Sequence, residues 1–111
     1  MDLKLNGKVA LVTGAGSQTG YGRKIAVVLA REGCLVVAAD INLDGAKQTA
    51  AEMQALGCQA MAIAVDVTKR PEVDRMVHTV HEKFGRIDIL VNNAGTSSRL
   101  KPFIEMTPSD W

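Results

Sequence analysis

The segment KVALVTGAGSQTGYGRKIAVVL, residues Lys8 to Leu29, limits what this chain can fold into more than any other stretch. Lys8 to Thr13 is a run of aliphatic and β-branched residues set between Gly7 and Gly14, the pattern of a strand buried on both faces. Four of the nine residues from Gly14 to Gly22 are glycine. Ile25, Ala26, Leu29 and Ala30 then recur at helical spacing. Strand, glycine-rich turn and helix in that order leave backbone N–H groups at a helix N-terminus. Where no Cβ blocks the approach, those groups can hold a phosphate.

The same alternation continues along the chain. Arg31 and Glu32 close the first helix and Gly33 stops it. Cys34 to Ala39 is a second apolar strand ending at Asp40. Asn42 is placed to cap a helix that runs to about Leu56, with Ala46, Thr49, Ala50, Met53 and Leu56 on one face. Gln59 to Val65 is a third strand, ending at Asp66. Thr68 is the candidate cap of a third helix. Pro71 lies in its first turn, Val73, Met76, Val77, Val80 and Phe84 form its apolar stripe, and Gly85 ends it. Ile87 to Val91 is a fourth strand leading into Asn92-Asn93-Ala94-Gly95. Thr96 to Phe103 reads as a loop, and Thr107-Pro108 as the start of another helix.

A β-α-β-α-β-α-β order with a helix in every crossover makes neighbouring strands parallel. Right-handed crossovers then favour an α/β doubly wound sheet, here its first half, with strand order 3-2-1-4. At 111 residues the chain holds one domain, taken as residues 1–111. A net charge of +1 gives no electrostatic reason to expect nucleic acid or an anionic membrane as partner. No apolar stretch approaches the roughly 20 residues that span a bilayer, and MDLKLNGK has no signal-peptide character. The expectation is a cytoplasmic protein. Cys34 and Cys58, each after a glycine, read as small hydrophobes opening buried strands in a reducing compartment. His78 and His81 share a helix without further ligands at metal-site spacing, so no metal is expected.

The residues with chemistry in them all follow the carboxyl ends of strands, the edge at which open parallel sheets bind ligands. The glycine turn alone could be a tight connection and nothing more. Asp40 adds to it, because it lies twenty positions after Gly20, the spacing at which an acid reaches a ribose diol. A carboxylate there accepts from two hydroxyls and repels a 2′-phosphate, which favours NAD over NADP. The plainer alternative for Asp40 is a solvated acid capping the next helix. Asp66 could accept from the amino group of an adenine, or simply open a loop. Asn93 could be a turn residue, or could bond the neighbouring loop or the cofactor. Gly95 would let backbone approach a ligand. Tyr21 could pack on the cofactor or shield the turn, and Arg23 and Lys24 are expected to face solvent. No Gly-Lys-Ser/Thr follows the turn, so it is not a P-loop.

These residues together resemble the short-chain dehydrogenase/reductase family, especially the branch that includes 3-oxoacyl-carrier-protein reductases. The matching pieces are Thr13-Gly14 with Gly20-Tyr21-Gly22, Asp40, Asp66-Val67, Asn92 to Gly95, and the Thr107 to Trp111 helix start. The resemblance runs from Leu5 onward. It implies a Rossmann fold binding NAD(H) or NADP(H), and hydride transfer between the nicotinamide and a carbonyl or alcohol carbon. It implies that Gly14, Gly20 and Gly22 line the pyrophosphate, in a turn that also holds Gly16, Ser17, Gln18 and Tyr21. Asp40 and Ile41 would border the adenosine ribose, Asp66 and Val67 the adenine, and Asn93, Ala94 and Gly95 the cofactor at the fourth strand.

Two departures qualify the resemblance. The family places three residues between its first two motif glycines, whereas five separate Gly14 from Gly20 here. The family's catalytic Asn, Ser and Tyr-x-x-x-Lys set belongs to segments beyond Asn-Asn-Ala-Gly that are not in this sequence. No catalytic residue is therefore assigned. The expectation is the cofactor-binding part of a longer, homo-oligomeric oxidoreductase, inactive alone, acting on a small carbonyl or alcohol. A non-catalytic dinucleotide-binding module is the competing reading. A methyltransferase-like domain using S-adenosylmethionine is a third, disfavoured by Asn92 to Gly95.

Overall fold

A computed structural model describes residues 5–17 and 20–93. It contains β1 (Val9–Thr13), α1 (Tyr21–Arg31), β2 (Leu35–Asp40), α2 (Leu43–Ala55), β3 (Ala60–Ala64), α3 (Arg70–Phe84) and β4 (Ile89–Asn92). The four strands form one parallel sheet in the order β3-β2-β1-β4. This is the doubly wound arrangement expected from the sequence. The chain leaves β1, builds outward through β2 and β3, then crosses back to place β4 on the other side of β1. The glycine turn and residues 40 and 93 all lie at the carboxyl ends of β1, β2 and β4, the edge at which that reversal of strand order occurs.

Alternation along the strands divides the core in two. Ala10, Val12, Val36 and Ala38 face α1 and α2, meeting Ala26, Ala30, Ala46 and Met53. Val9, Leu11, Val37 and Ala39 face the other side, meeting Val73, Met76 and Val80 of α3. The first face is lined with alanine. Gly22, Ala26 and Ala30 form an i, i+4, i+8 row on α1 that brings helix backbone close to the sheet. Full burial of each larger core side chain, such as Leu11, contributes about 1.5–3 kcal/mol. Truncating Leu11 to alanine costs about 2–5 kcal/mol.

Helix ends follow the sequence in most places. The Asn42 side chain accepts from Gly45 N at 3.2 Å and caps α2. Gly85 ends α3 at φ +82°, a left-handed conformation that favours glycine. Pro71 lies in the first turn of α3, as expected. Thr68 is not the cap, however. Lys69 holds that position without a side-chain bond, and the Thr68 hydroxyl instead donates to Asp66.

Other expectations shift by small amounts for identifiable reasons. β1 begins at Val9 rather than Lys8, and β4 spans Ile89–Asn92 rather than residues 87–91. Asp88 lies just before β4, and its carboxylate accepts from Val9 N at 2.9 Å. Cys34 and Cys58 precede β2 and β3 instead of opening them. Both are free thiols, donating to Leu5 O and Ala30 O. Burial, then the negative charge of Asp88, pushes the Cys34 thiol up, which disfavours its thiolate. Leu56 and Val77, expected on apolar stripes, are exposed, Leu56 as the residue just past the end of α2. The loop expected at residues 96–103 and the helix start at Thr107 lie outside the described residues. Among the described residues no helix is long and apolar enough to cross a membrane.

Candidate functional site

Gly14 leaves β1 with φ +70°, a left-handed conformation that a side chain disfavours. Past it, the turn is held from the side of β2 and α2. Ala15 N donates to Ala39 O at 3.1 Å, carrying the β1–β2 ladder one step beyond the strand. Gly16 N donates to the Asp40 carboxylate at 2.8 Å. The Thr49 hydroxyl, fully buried on α2, donates to Ala15 O at 2.6 Å. A Cβ on Gly16 would sit 2.7 Å from Asp40 Cγ. A Cβ on Gly45, in the first turn of α2, would strike Gly16 O. The turn thus has no slack towards the second helix.

The turn closes on α1. Gly20 N donates to Ser17 O at 3.4 Å, and Gly20 caps α1 without a side-chain bond. No acid lies in the first turn of α1. The partial positive charge of this helix end is therefore not offset by a cap or a carboxylate of the helix itself, which suits an anionic ligand. Tyr21 is 75% exposed beside this end, with the Lys24 ammonium 5.9 Å from its ring centre. Arg23 does not face solvent freely as expected. It donates to Glu52 Oε1 on α2 at 2.8 and 3.1 Å, because α1 and α2 pack side by side.

The fourth strand reaches the turn through Thr13. This buried hydroxyl lies 3.3 Å from Val91 O and 3.2 Å from Asn92 Oδ1 as donor, and accepts from Asn93 N at 3.1 Å. Asn93 is thereby carried over α1, where a Cβ on Gly22 would meet Gly14 O and Asn93 Nδ2. Gly14 and Asn93 thus both lie against Gly22. Gln18, Ala94 and Gly95 lie outside the described residues.

Asp40 ends β2 beside the turn. Its Oδ2 takes the Gly16 N–H and its Oδ1 takes Asn42 N at 2.9 Å. Each carboxylate oxygen keeps a further lone-pair position for a hydroxyl. Ile41 follows, 71% exposed. Asp66 lies beyond β3. Its Oδ1 accepts from Thr68 N at 3.0 Å and from Thr68 Oγ1 at 2.6 Å. These bonds, the hydroxyl's first, hold its carboxyl below the usual range. Val67 packs partly on the α3 face of the core. Among the described residues no group of three or more His, Cys, Asp or Glu could hold a metal.

Sequence reasoning missed Gly45 and Thr49 as builders of this site, and it named Thr13 in its pair with Gly14 without giving it a role. A glycine in the first turn of a helix was the available signal for Gly45, since alanine serves a helix better there. Nothing local marked Thr49, whose partner is 34 residues away.

A sequence profile described as "short chain dehydrogenase" matches residues 8–111. Sorbitol dehydrogenase from Cereibacter sphaeroides is 48% identical over 109 residues, covering 98% of this chain and 40% of that protein. The crystal structure of a hydroxysteroid dehydrogenase from Escherichia coli matches with TM-score 0.78 and 45% identity, over 82% of this chain and 37% of that one. A short chain dehydrogenase/reductase from Burkholderia phymatum, in complex with NAD, matches with TM-score 0.74 and 32% identity, over 79% of this chain and 31% of that one. The chain spans about two-fifths of the length of the curated relatives it matches, 40% and 42% for the first two.

Proposed function

The chain belongs to the short-chain dehydrogenase family, and from that premise we propose that it forms the dinucleotide-binding part of an oxidoreductase that prefers NAD over NADP. The pyrophosphate lies along the turn from Gly14 to Gly22, with Gly16, Ser17, Gln18, Gly20 and Tyr21 in its path. The adenosine ribose sits at Asp40 and Ile41, the adenine near Asp66 and Val67, and the far side of the cofactor against Asn93, Ala94 and Gly95. Bound nicotinamide supplies the hydride acceptor or donor. The residues of this chain bind and orient it. The substrate is a small alcohol or carbonyl compound, and the full-length protein is a cytoplasmic homo-oligomer. Similarity to 3-oxoacyl-carrier-protein reductases in particular belongs to this proposal as well.

The observation that supports the reading most is the place of the Asp40 carboxylate, against the amide of Gly16 in a turn that runs into α1, whose first turn holds no acid. A ribose diol fits an acceptor pair that keeps lone pairs for two hydroxyls. A 2′-phosphate there would meet a like charge. Titration of the chain with NADH and NADPH, followed by nucleotide fluorescence, tests it. NADH should bind at least about tenfold more tightly, a modest like-charge penalty near 1.4 kcal/mol. Asp40→Ala should narrow that ratio. An equal loss for both nucleotides would remove the assignment of NAD, and a chain that binds neither would remove the function.

A further inference from the structure

We propose that Thr49 is a positioning residue for the dinucleotide, acting through the carbonyl of Ala15 rather than by touching the ligand. The proposal rests on the reading that the glycine turn binds a dinucleotide. Three observations lead to it. The Thr49 hydroxyl is fully buried and donates to Ala15 O at 2.6 Å, a bond between α2 and the turn across 34 residues of sequence. One turn earlier on the same helix, Gly45 lies so close to Gly16 that a Cβ would strike the Gly16 carbonyl oxygen. On the same peptide as Ala15 O, Gly16 N is held by Asp40.

One peptide unit, Ala15–Gly16, is therefore fixed at both of its polar groups, by a hydroxyl on its carbonyl and a carboxylate on its amide. Gly45 sets how closely α2 approaches it. Fixing the Ala15–Gly16 peptide fixes the direction of the N–H groups that follow it in the turn. A phosphate site built from backbone amides depends on that direction, because it has no side chain to readjust. The second helix, which carries none of the predicted cofactor residues, thus sets the shape of the phosphate turn.

The test compares Thr49→Val, which keeps the shape and removes the hydroxyl, with Thr49→Ser, which keeps the hydroxyl. NADH and ADP-ribose affinities are measured well below the unfolding temperature of each variant, with amide hydrogen exchange at Ala15 and Gly16. Thr49→Val should weaken both ligands about tenfold, the scale of a buried hydrogen bond that leaves a carbonyl unpaired. It should also speed exchange at Gly16, with adenosine binding unchanged because adenosine has no pyrophosphate. Thr49→Ser should restore both readouts to within about threefold of the parent.

A folded Thr49→Val that binds NADH like the parent and protects Gly16 equally would overturn the proposal. So would an equal loss for adenosine, which marks general loosening. Where Thr49→Val does not fold, Gly45→Ala tests the same control of the turn by α2, since its Cβ would displace the Gly16 carbonyl, on the peptide that follows, while improving helix propensity. A parent chain that binds no NADH would sink the functional reading, while the exchange readout would still decide the role of Thr49.

Discussion

Asp40 and Asp66 follow neighbouring strands of one sheet and make the same local turn. In each, Oδ1 accepts from the backbone N–H two residues on, Asn42 N at 2.9 Å and Thr68 N at 3.0 Å. They differ in what else they bond. Asp40 reaches across to Gly16, 24 residues away in sequence. Asp66 spends its Oδ1 a second time on the hydroxyl of Thr68. The first acid joins two βα units, and the second tidies one. An aspartate after a strand is thus a local turn former by default. What sets Asp40 apart is a second contact that sequence spacing alone does not disclose.

The sharpest way to break the contrast is to remove each carboxylate in turn. Asp40→Ala should cost about 2–3 kcal/mol in NADH binding, through one lost charge-assisted bond to Gly16 and lost bonds to the ribose. Fluorescence titration checks it, and a loss no larger than that of Asp66→Ala would erase the distinction. Gly16→Ala comes next. Its Cβ would stand 2.7 Å from Asp40 Cγ, so the carboxylate or the turn must move. Overpacking of this kind costs about 1–3 kcal/mol, read as a lower unfolding midpoint in urea together with weaker NADH binding. Asp66→Ala should weaken NADH by only about threefold, as for one exposed hydrogen bond to adenine.

The smallest effect concerns protonation. The Thr68 bonds lower the carboxyl pKa of Asp66 below its ordinary value. A depressed pKa stabilises the fold above the ordinary carboxylate range, and that contribution is lost as pH falls through the folded value. Thr68→Val removes the hydroxyl bond, so the Asp66 carboxyl should titrate at higher pH in an NMR titration. An unmoved titration would show that the Thr68 backbone amide alone sets the value.

Much of this was legible in the chain. Strand order followed from helix-containing crossovers, and the caps at Asn42 and Gly85 followed from residue types whose local chemistry decides the conformation. Thr68 misled because a threonine before a helix can bond backward as readily as forward, and Asp66 was the better acceptor. Arg23 misled because helical periodicity locates an outer face but not the helix beside it, where Glu52 waits. The roles of Thr13, Gly45 and Thr49 stayed hidden for a related reason. Each of these residues matters through a partner brought close only by the fold, and only Gly45, a glycine in the first turn of a helix, carries a local mark of the contact.

The four residues of β4 make a short strand, yet β4 is pinned at both ends. At one end Asp88 accepts from Val9 N, with Arg86 beside it at 2.9 Å. At the other Thr13 bonds the backbone and side chains of residues 91–93. Sliding β4 by one position would break both pins and turn its inward side chains outward. The two pins therefore act as a vernier, setting where Asn93 stands along the first strand independently of whatever later joins the outer side of the sheet.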